Sequence, residues 1–368
     1  MENIFRFADS LGPAKIVHIH VPNADLKAIV VIDNLACGPA MGGVRMAPDV
    51  SVEECVRLAR AMTLKNAAAG LPHGGGKSVI FADPRMPIAE KERLIRAFAC
   101  AIRDLVDYIP GPDMGTDERC MAWVCDETGR AAGLPPVLGG IPLDEIGATG
   151  FGLAVAIEAA QPYCGLALQG ARVAVQGFGA VGRHAARFLA AKGAVLVGAA
   201  DSSATLYDPK GLDVADLLRH KLAGGALADY PAGEKRDRDA IIDVPCDIWI
   251  PSARPDVLRA DNVARLQTKL VAQGANIPAT EAAEAMLHAR GILVLPDFIA
   301  NAGGVICAAV EYHGGTEAAA FAAIAEKVGR NTRQMLGQAA SAHSTPRAAA
   351  IALAEQRLKQ AAGYRRWG

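Results

Sequence analysis

The sequence has little net charge, few aromatic residues and no long apolar run. Its 38 Lys and Arg side chains nearly balance its 39 Asp and Glu side chains, and no basic stripe stands out that would neutralise a row of phosphates. No uncharged apolar stretch reaches the roughly 18 residues that a membrane-spanning helix needs. We therefore expect neither a nucleic-acid partner nor a membrane partner, and we expect small-molecule chemistry instead.

Targeting and redox signals are also missing. The first residues, MENIFRFADS, lack the basic start and apolar run of a secretory signal, so we expect a cytoplasmic protein. The eight cysteines include no C-x-x-C pair and lie mostly among apolar neighbours. We expect reduced core thiols rather than disulfides or a metal site.

With 368 residues, of which 51% are hydrophobic, the chain is too long for one ordinary core and predicts two domains. The first segment predicts strands at 14–20 and 27–33, a Gly-rich turn, a helix at 51–70, a short strand at 78–82 and a helix within 87–106. Ser51 followed by Glu54 is a capping box, which supports the start of the first helix. This segment indicates an α/β lobe.

From about residue 147 the pattern changes to a regular alternation of strands and helices, typical of a parallel sheet covered by helices. Strands are predicted at 172–176, 195–200, 246–250, 269–272 and 292–295, with a helix at 180–192. An Ala-rich tail at 318–361 predicts two or three helices that pack back on the first lobe. We therefore predict a two-domain α/β fold with a cleft: a substrate-binding and oligomerisation domain, 1–146 with 331–368, and a Rossmann-type dinucleotide-binding domain, 147–330.

A glycine-rich motif directly follows the predicted strand at 172–176 and opens the next helix. It consists of Gly177, Phe178, Gly179, Ala180, Val181 and Gly182. In this setting the first glycine allows a tight turn, the second lets the backbone approach a pyrophosphate, and the third lets helix and strand pack closely. A glycine turn without a ligand is the alternative.

Asp201 ends the following predicted strand, where an acid binds the ribose 2′-hydroxyl of NAD and repels the 2′-phosphate of NADP. We therefore expect NAD as the cofactor. A solvated turn residue is the alternative for Asp201.

Two lysines are candidates for chemistry, Lys65 within MTLKN and Lys77 directly after three glycines. Glycines remove side-chain bulk, which would let a substrate approach the Lys77 ammonium. Two ammonium groups in one partly buried site repel, which lowers the pKa of at least one and suits it to proton transfer. Two unrelated surface lysines are the alternative; a phosphate-binding Walker loop does not fit, since its first glycine would fall at Leu71.

Asp113 lies in the turn PDMGT between two predicted helices. An acid held there could shuttle protons. The alternative is a cap, or an exposed turn before a helix that starts at Thr116.

Seven segments together resemble the glutamate/leucine/phenylalanine/valine dehydrogenase family in order and spacing, over roughly residues 10–360. They are GPAMGGVR (38–45), MTLKN (62–66), GGGK (74–77), PDMGT (112–116), GATG (147–150), GAN (274–276) and NAGGV (301–305). The resemblance implies that Lys65 holds the substrate α-carboxylate, that Lys77 polarises the carbonyl or activates water, and that Asp113 transfers protons to and from the amino group.

The same resemblance implies further roles. Gly42 and Gly43 would present backbone groups near the α-carboxylate, Thr149 and Asn276 would position the nicotinamide, and Asn301 would lie at the cleft. It also implies closure of the two domains and closed homo-oligomers built through the first domain.

Two positions depart from the glutamate members, which carry Lys where this sequence has Met41 and Ser near where it has Ala308. Neither residue can hold a side-chain carboxylate, so we expect reversible deamination of an apolar L-amino acid to its 2-oxo acid and ammonia. The stretches 274–280 and 295–297 are nonetheless nearer to the glutamate enzymes. The alternatives are a glutamate dehydrogenase that uses another cation, such as Arg45, and a catalytically silent binding or regulatory homologue.

Overall fold

The chain forms two compact α/β units, and a computed structural model describes residues 5–365. The first unit contains the chain through Pro142, Val305–Ala320 and the chain from Ile351 onward; the second contains Leu143–Gly304 and Phe321–Ala350. The division near residue 146 was expected. The structure differs in assigning 305–320 to the first unit and 331–350 to the second.

The first unit is built on a five-stranded mixed sheet with the order β1-β2-β4-β3-β5. Its elements are β1 (Lys15–Val21), β2 (Leu26–Asn34), β3 (Ala40–Met46), α1 (Val52–Ala68), β4 (Gly74–Ile80), α2 (Ile88–Ala101), β5 (Tyr108–Pro112) and α3 (Glu118–Thr128). Strands β3, β4 and β5 are parallel, whereas β1 and β2 run antiparallel to their neighbours. The carboxyl ends of three parallel strands therefore meet at one edge.

Side-chain alternation gives this sheet two different faces. On β2, Val30 and Ile32 pack in the core that contains the α2 and α3 side chains. Ile29 and Val31 pack instead with Cys55 of α1. Helix α1 thus covers one face, and α2 and α3 cover the other.

Residues 40–46 form a strand rather than the expected Gly-rich turn. Glycine is depleted in strands, but a Cβ atom built on Gly42 would lie 1.7 Å from the carbonyl oxygen of Gly76. Glycine is required at this position because neighbouring backbone comes that close. A tertiary contact therefore overrides the local preference.

The turn that carries Asp113 follows a strand, not a helix, because β5 ends at Pro112. The next helix begins at Glu118, and the Asp117 carboxylate caps it by accepting from the backbone N–H of Cys120 at 2.9 Å. Thr116 instead binds within the turn: its hydroxyl accepts from Asp113 N at 3.0 Å and donates to Val44 O at 2.7 Å. The alternative in which a helix starts at Thr116 was wrong.

Helix α10 (Gly303–Tyr312) places residues 305–320 in the first unit. Its buried residue Glu311 accepts backbone N–H donors from Gly133 and Leu134 through one oxygen and from Ile141 through the other, at 2.8–2.9 Å. A buried carboxylate that is satisfied by these three backbone donors fixes the helix beside them. Sequence periodicity contains no trace of such a contact.

The second unit contains a seven-stranded sheet with the order β12-β11-β10-β6-β7-β8-β9. Its strands are β6 (Arg172–Gln176), β7 (Val195–Ala200), β8 (Thr205–Tyr207), β9 (Glu234–Arg236), β10 (Ile248–Pro251), β11 (Leu270–Ala272) and β12 (Leu293–Leu295). Strands β6, β7, β10, β11 and β12 are parallel. The five predicted strands are confirmed within two residues at each end. Strands β7 and β10 lie on opposite sides of β6, so the strand order reverses at β6 and creates a topological switch point.

Helices complete the second unit. They are α4 (Leu143–Ile146), α5 (Ala148–Cys164), α6 (Ala180–Ala190), α7 (Val214–Leu222), α8 (Glu281–Ala289), α9 (Asp297–Ala300), most of α11 (Glu317–Ala342) and the start of α12 (Pro346–Ala362). Arg347 at the start of α12 binds Glu284 at 2.6 Å and Asp297 at 3.0 Å. This ion pairing explains why residues up to 350 belong here rather than with the first unit.

The cysteines are all free, and three of them, Cys55, Cys120 and Cys307, are buried. Cys100 is exposed, so the expectation of core thiols was wrong for this residue. In residues 5–365, no helix is both long enough and apolar enough to cross a membrane.

A buried histidine generates a prediction about acid stability. His184 on α6 is 6% exposed, and burial, with Arg187 and Arg183 nearby, lowers its pKa to about 4. In the unfolded chain this histidine has a pKa near 6.5, so it takes up a proton at a higher pH than it does in the folded chain. The free energy of unfolding therefore falls as pH drops below about 6.5.

We predict that His184→Leu reduces this loss by roughly 1–3 kcal/mol between pH 7 and 4. The measurement is the thermal midpoint at pH 7 and pH 5, where the natural protein should lose a few degrees more than the variant. His288→Leu, at an exposed position of α8, is the control and should behave like the natural protein. Equal losses in the natural protein and His184→Leu would contradict the prediction.

Candidate active site

A buried ion pair joins the carboxyl edge of β5 to β4. Lys77 lies on β4, and its Nζ is 2.5 Å from Oδ2 of Asp113, directly after β5. The Lys77 side chain is only 7% exposed. The structure thus brings together the two residues predicted to carry acid–base chemistry, and the ammonium of Lys77 faces a carboxylate.

Arg45 is a second cation on the same carboxylate oxygen. Its Nε donates to Asp113 Oδ2 at 3.1 Å, and its Nη1 donates to Oε1 of Glu54 at 2.5 Å. Burial would raise the pKa of Asp113, but Lys77 and Arg45 outweigh it and hold that pKa below its usual value. Asp113 is therefore a carboxylate at neutral pH, and Arg45 is already engaged by two carboxylates.

Gly43 leaves the space in which the ion pair forms. A Cβ atom built there would lie 2.7 Å from Cβ of Asp113 and 3.2 Å from Nζ of Lys77. Any side chain at position 43 would push the pair apart. Gly42 lies beside it on β3, and its carbonyl accepts from the hydroxyl of buried Tyr108 at 3.0 Å.

The three glycines before Lys77 make room for protein rather than for a substrate. A Cβ atom on Gly74 would lie 1.8 Å from Asn34 O, one on Gly75 would lie 2.1 Å from Thr63 N, and one on Gly76 would lie 3.0 Å from the Tyr108 ring. The expectation that these glycines let a substrate approach the Lys77 ammonium was therefore wrong, because neighbouring protein atoms occupy that space.

Lys65 lies in the last turn of α1, where its side chain is partly buried. The next residue, Asn66, is fully buried, and its Nδ2 donates to Gly74 O at 2.7 Å. This hydrogen bond fixes the end of α1 to the strand that carries Lys77. Asn66 thus connects the helix end that carries Lys65 to the strand that carries Lys77.

Met41 and Ala308, the predicted side-chain pocket residues, lie in one apolar cluster. Met41 is buried with Ile109 and Ala132, and Ala308 and Tyr312 of α10 pack against them.

Two histidines beside this cluster were missed by sequence reasoning. The buried His73 and the exposed His313 approach at 3.1 Å between their Nε2 atoms, and the His73 ring packs against Tyr312 at 5.9 Å. Burial, and to a smaller degree His313, lower the pKa of His73. No periodicity or motif connects residues 240 positions apart, so the sequence contains no signal for the pair.

The glycine-rich motif of the second unit has the backbone that each glycine was predicted to supply. Gly177 has φ +94°, and a Cβ atom there would lie 2.6 Å from Ala253 N. A Cβ atom on Gly182 would lie 2.1 Å from Gly177 O, as close packing of helix and strand requires, whereas one on Gly179 would meet no protein atom within 4 Å. Phe178 is buried, and Ala180 and Val181 form the first turn of α6.

Asp201 follows β7, as predicted, and its carboxylate already accepts several hydrogen bonds. Oδ1 accepts from the backbone N–H and hydroxyl of Ser203 at 2.8 and 2.5 Å, and Oδ2 accepts from Lys221 at 2.7 Å and Leu227 N at 3.0 Å. Burial opposes ionisation, but these donors hold the pKa of Asp201 well below its usual range. Asp201 is therefore ionised at neutral pH, and the ammonium of Lys221 is paired with it.

Asn276, predicted to position the nicotinamide, contacts Asn301, which was predicted to lie at the cleft. Asn301 Nδ2 donates to Asn276 Oδ1 at 3.0 Å and to Gly274 O at 3.2 Å. Thr149, the third predicted residue, lies against Gly304, where a Cβ atom would be 2.9 Å from its Oγ1.

Buried polar atoms at this edge test whether a cofactor fits. Oε1 of Gln176, Oγ of Ser252 and Oδ1 of Asn301 have no hydrogen-bond partner among the described residues. Gln176 ends β6, and Ser252 follows β10, so these atoms lie at the carboxyl edge of the sheet. Orphaned polar groups beside the open backbone of Gly179 fit a polar, phosphate-bearing dinucleotide.

Comparisons with known proteins agree with both units. Residues 13–130 match the family "Glu/Leu/Phe/Val dehydrogenase, dimerisation domain", and residues 139–366 match "Glutamate/Leucine/Phenylalanine/Valine dehydrogenase". Similar relatives include a glutamate dehydrogenase of Aeropyrum pernix, 40% identical over 82% of this chain and 77% of that one. An NADP-specific glutamate dehydrogenase of Saccharolobus shibatae is 38% identical over 76% and 69%, and a catabolic NAD-specific glutamate dehydrogenase of Bacillus subtilis is 38% identical over 76% and 68%.

Solved structures give the same result. A hetero-hexameric glutamate dehydrogenase of Thermus thermophilus in a leucine-bound form is 31% identical, with a TM-score of 0.84 over 95% of this chain and 89% of that one. An L-tryptophan dehydrogenase of Nostoc punctiforme is 28% identical, with a TM-score of 0.75 over 95% and 97%. Matched along nearly its whole length, the chain belongs to the glutamate/leucine/phenylalanine/valine dehydrogenase family and is an amino acid dehydrogenase.

Proposed function

We propose that the protein oxidatively deaminates an apolar L-amino acid to its 2-oxo acid and ammonia, reversibly, with NAD as the preferred cofactor. The observation that carries the proposal is the ion pair of Lys77 and Asp113 at 2.5 Å. An ammonium and a carboxylate in contact supply the acid and the base that hydrolysis of an iminium needs. The intact pair also argues against a catalytically silent homologue.

The residues of the first unit divide the work. Lys65, with backbone groups of Gly42 and Gly43, holds the α-carboxylate and so fixes the reacting carbon. Lys77 activates the water that attacks the iminium, and Asp113 takes and returns the proton of the amino group. Because Asp113 is ionised at neutral pH, it begins the deamination as a base.

The second unit holds the cofactor. The glycine-rich turn and the start of α6 would bind the pyrophosphate, and Thr149 and Asn276 would orient the nicotinamide ring, with Asn301 beside Asn276 at the cleft. When bound, the nicotinamide accepts hydride from the substrate Cα. The carboxylate of Asp201 at the end of β7 supports NAD over NADP, although Lys221 offsets part of its charge and relatives of both cofactor types are similar to this chain.

Met41 and Ala308 support an apolar substrate. A glutamate side chain placed against them would lose hydration without gaining a cation, at a cost of several kcal/mol. A branched aliphatic side chain in the same place would be stabilised by roughly 1.5–3 kcal/mol. Arg45, already engaged by Asp113 and Glu54, is not positioned as a substitute cation.

Glutamate is the second candidate substrate, and by the names of the relatives alone it is the better supported one. In the first unit, His73 and His313 contact Tyr312 of the apolar cluster. The lowered pKa of His73 favours its neutral form, and a neutral imidazole can hold a carboxylate by donating one N–H hydrogen bond. We also propose a homo-oligomer built through the first unit, in line with the dimerisation-domain match.

Replacing Lys77 tests the chemistry. Lys77→Ala should lower kcat by roughly 10²- to 10⁴-fold and leave the Kd for NADH nearly unchanged, because it removes an acid–base group. The measurements are steady-state kinetics and a fluorescence titration with NADH. Lys192→Ala removes a lysine paired with Glu158 at the surface and should retain full activity. If Lys77→Ala keeps most of its turnover, the assignment fails.

A substrate panel tests the side-chain pocket. We expect kcat/KM for leucine, valine or phenylalanine to exceed that for glutamate by at least about a hundredfold, since each 1.4 kcal/mol is a factor of ten. The double variant Met41→Lys, Ala308→Ser should raise activity on glutamate and lower it on leucine. A preference of the unmodified protein for glutamate would select the second candidate, and His73→Leu should then raise KM for glutamate.

Cofactor choice tests Asp201. We expect a higher kcat/KM with NAD than with NADP, and Asp201→Ser should narrow the gap by removing like-charge repulsion of the 2′-phosphate. Asp208→Ser is the matched control, because Asp208 also accepts from a turn N–H, that of Lys210, and should leave the ratio unchanged. If Asp201→Ser leaves the ratio of kcat/KM with NAD to kcat/KM with NADP unchanged, Asp201 stabilises its turn and does not select the cofactor.

A further inference from the structure

We propose that Arg45, aligned by Glu54, is a positioning residue for the Asp113 carboxylate. The inference rests on the proposed role of Asp113 in proton transfer. Arg45 is on β3, Asp113 follows β5, and Glu54 is in the first turn of α1. Arg45 thus links the base to the start of a helix on the neighbouring face of the sheet.

The guanidinium binds two carboxylates through different nitrogens. Nε donates to Asp113 Oδ2 at 3.1 Å, while Nη1 donates to Glu54 Oε1 at 2.5 Å. Because the guanidinium is planar and rigid, it cannot rotate away from one carboxylate without leaving the other. Its side chain is 20% exposed, so water competes only weakly for these contacts.

Asp113 needs a second cation because its first partner takes part in the chemistry. Oδ2 binds both Lys77 and Arg45. When Lys77 gives up a proton or turns to the attacked carbon, it no longer holds Asp113. Arg45 remains charged at every working pH, so it keeps the carboxylate ionised and in one orientation through the cycle.

The side chain of Glu54 binds Arg45 instead of completing the predicted capping box. Its backbone N–H donates to Ser51 Oγ at 3.1 Å, which is half of the predicted capping box. In the usual capping box the glutamate side chain reaches back to the first residue, but here it binds Arg45. The capped turn gives Glu54 a fixed backbone from which to orient the guanidinium.

Kinetics of single variants give the first test. Arg45→Met should lower kcat by roughly 10- to 100-fold while KM for the amino acid and Kd for NADH stay within about threefold, because orientation of the base is lost but binding is not. Arg45→Lys should recover part of the loss through its charge, and Glu54→Gln should lower kcat by a smaller factor. A rise in KM without a fall in kcat would overturn the proposal and make Arg45 a substrate contact.

A double-mutant cycle gives the decisive test. If Arg45 acts through Asp113, Arg45→Met should cost less than about twofold in the Asp113→Asn background, where there is no base to position. Equal costs in both backgrounds would overturn the proposal. If Arg45→Met does not fold, Glu54→Gln replaces it in the same cycle. Full turnover in Asp113→Asn alone would instead overturn the proposed role of Asp113, so the two failures are distinguishable.

Arg60 provides the matched control. It also bridges two carboxylates, those of Asp33 and Asp9, and it is on α1. Arg60→Met should lower the thermal midpoint. Any loss in kcat that it causes should be the same factor in the natural background and in the Asp113→Asn background. Coupling of Arg60 to Asp113 as strong as that of Arg45 would overturn the proposal, because the cycle would then report general loosening of the unit.

Discussion

The buried ion pair of Lys77 and Asp113 sets the conditions that the first unit has to meet. A lysine that is 7% exposed loses most of its hydration, and only a close carboxylate compensates for that loss. The middle of β4 and the end of β5 must therefore bring an ammonium and a carboxylate within 2.5 Å, and the strand between them must leave space. Gly43 yields it, since a Cβ atom there would come within 3.2 Å of the ammonium.

Both units place their polar groups at the carboxyl ends of parallel strands. In the first unit Asp113 follows β5; in the second, Gly177, Asp201 and Ser252 follow β6, β7 and β10. Parallel strands end at the same edge, so residues distant in sequence meet there without long loops. The two sheets differ in what they offer: one presents charges of both signs, and the other presents open backbone and unpaired polar atoms.

Local sequence was sufficient where structure depends on local patterns. Strand β6 and its glycines were predicted because a buried strand, a glycine turn and an amphipathic helix are consecutive. Strand β3 was missed because Gly42 is favoured only by the approach of Gly76. The placement of α10 was missed for a similar reason, since Glu311 binds backbone about 170 residues earlier. The lysine and aspartate of the site were predicted by resemblance, whereas Arg45 with Glu54, and His73 with His313, depend on contacts that no motif records.

The alternation of side chains along β3 places the proposed substrate pocket and the ion pair on the same face of the strand. Ala40, Val44 and Met46 pack in the core on the α2 and α3 side, so Met41, Gly43 and Arg45 project from the opposite face. Met41 packs in the apolar cluster, Gly43 leaves space for the ion pair, and Arg45 donates a hydrogen bond to Asp113. Residues two apart on a strand are separated by about 7 Å, so a change at Met41, the residue proposed to contact the substrate side chain, would not touch the ion pair. On the proposed assignment, substitutions at Met41 in this strand of seven residues would change the substrate preference while the acid–base groups stay in place.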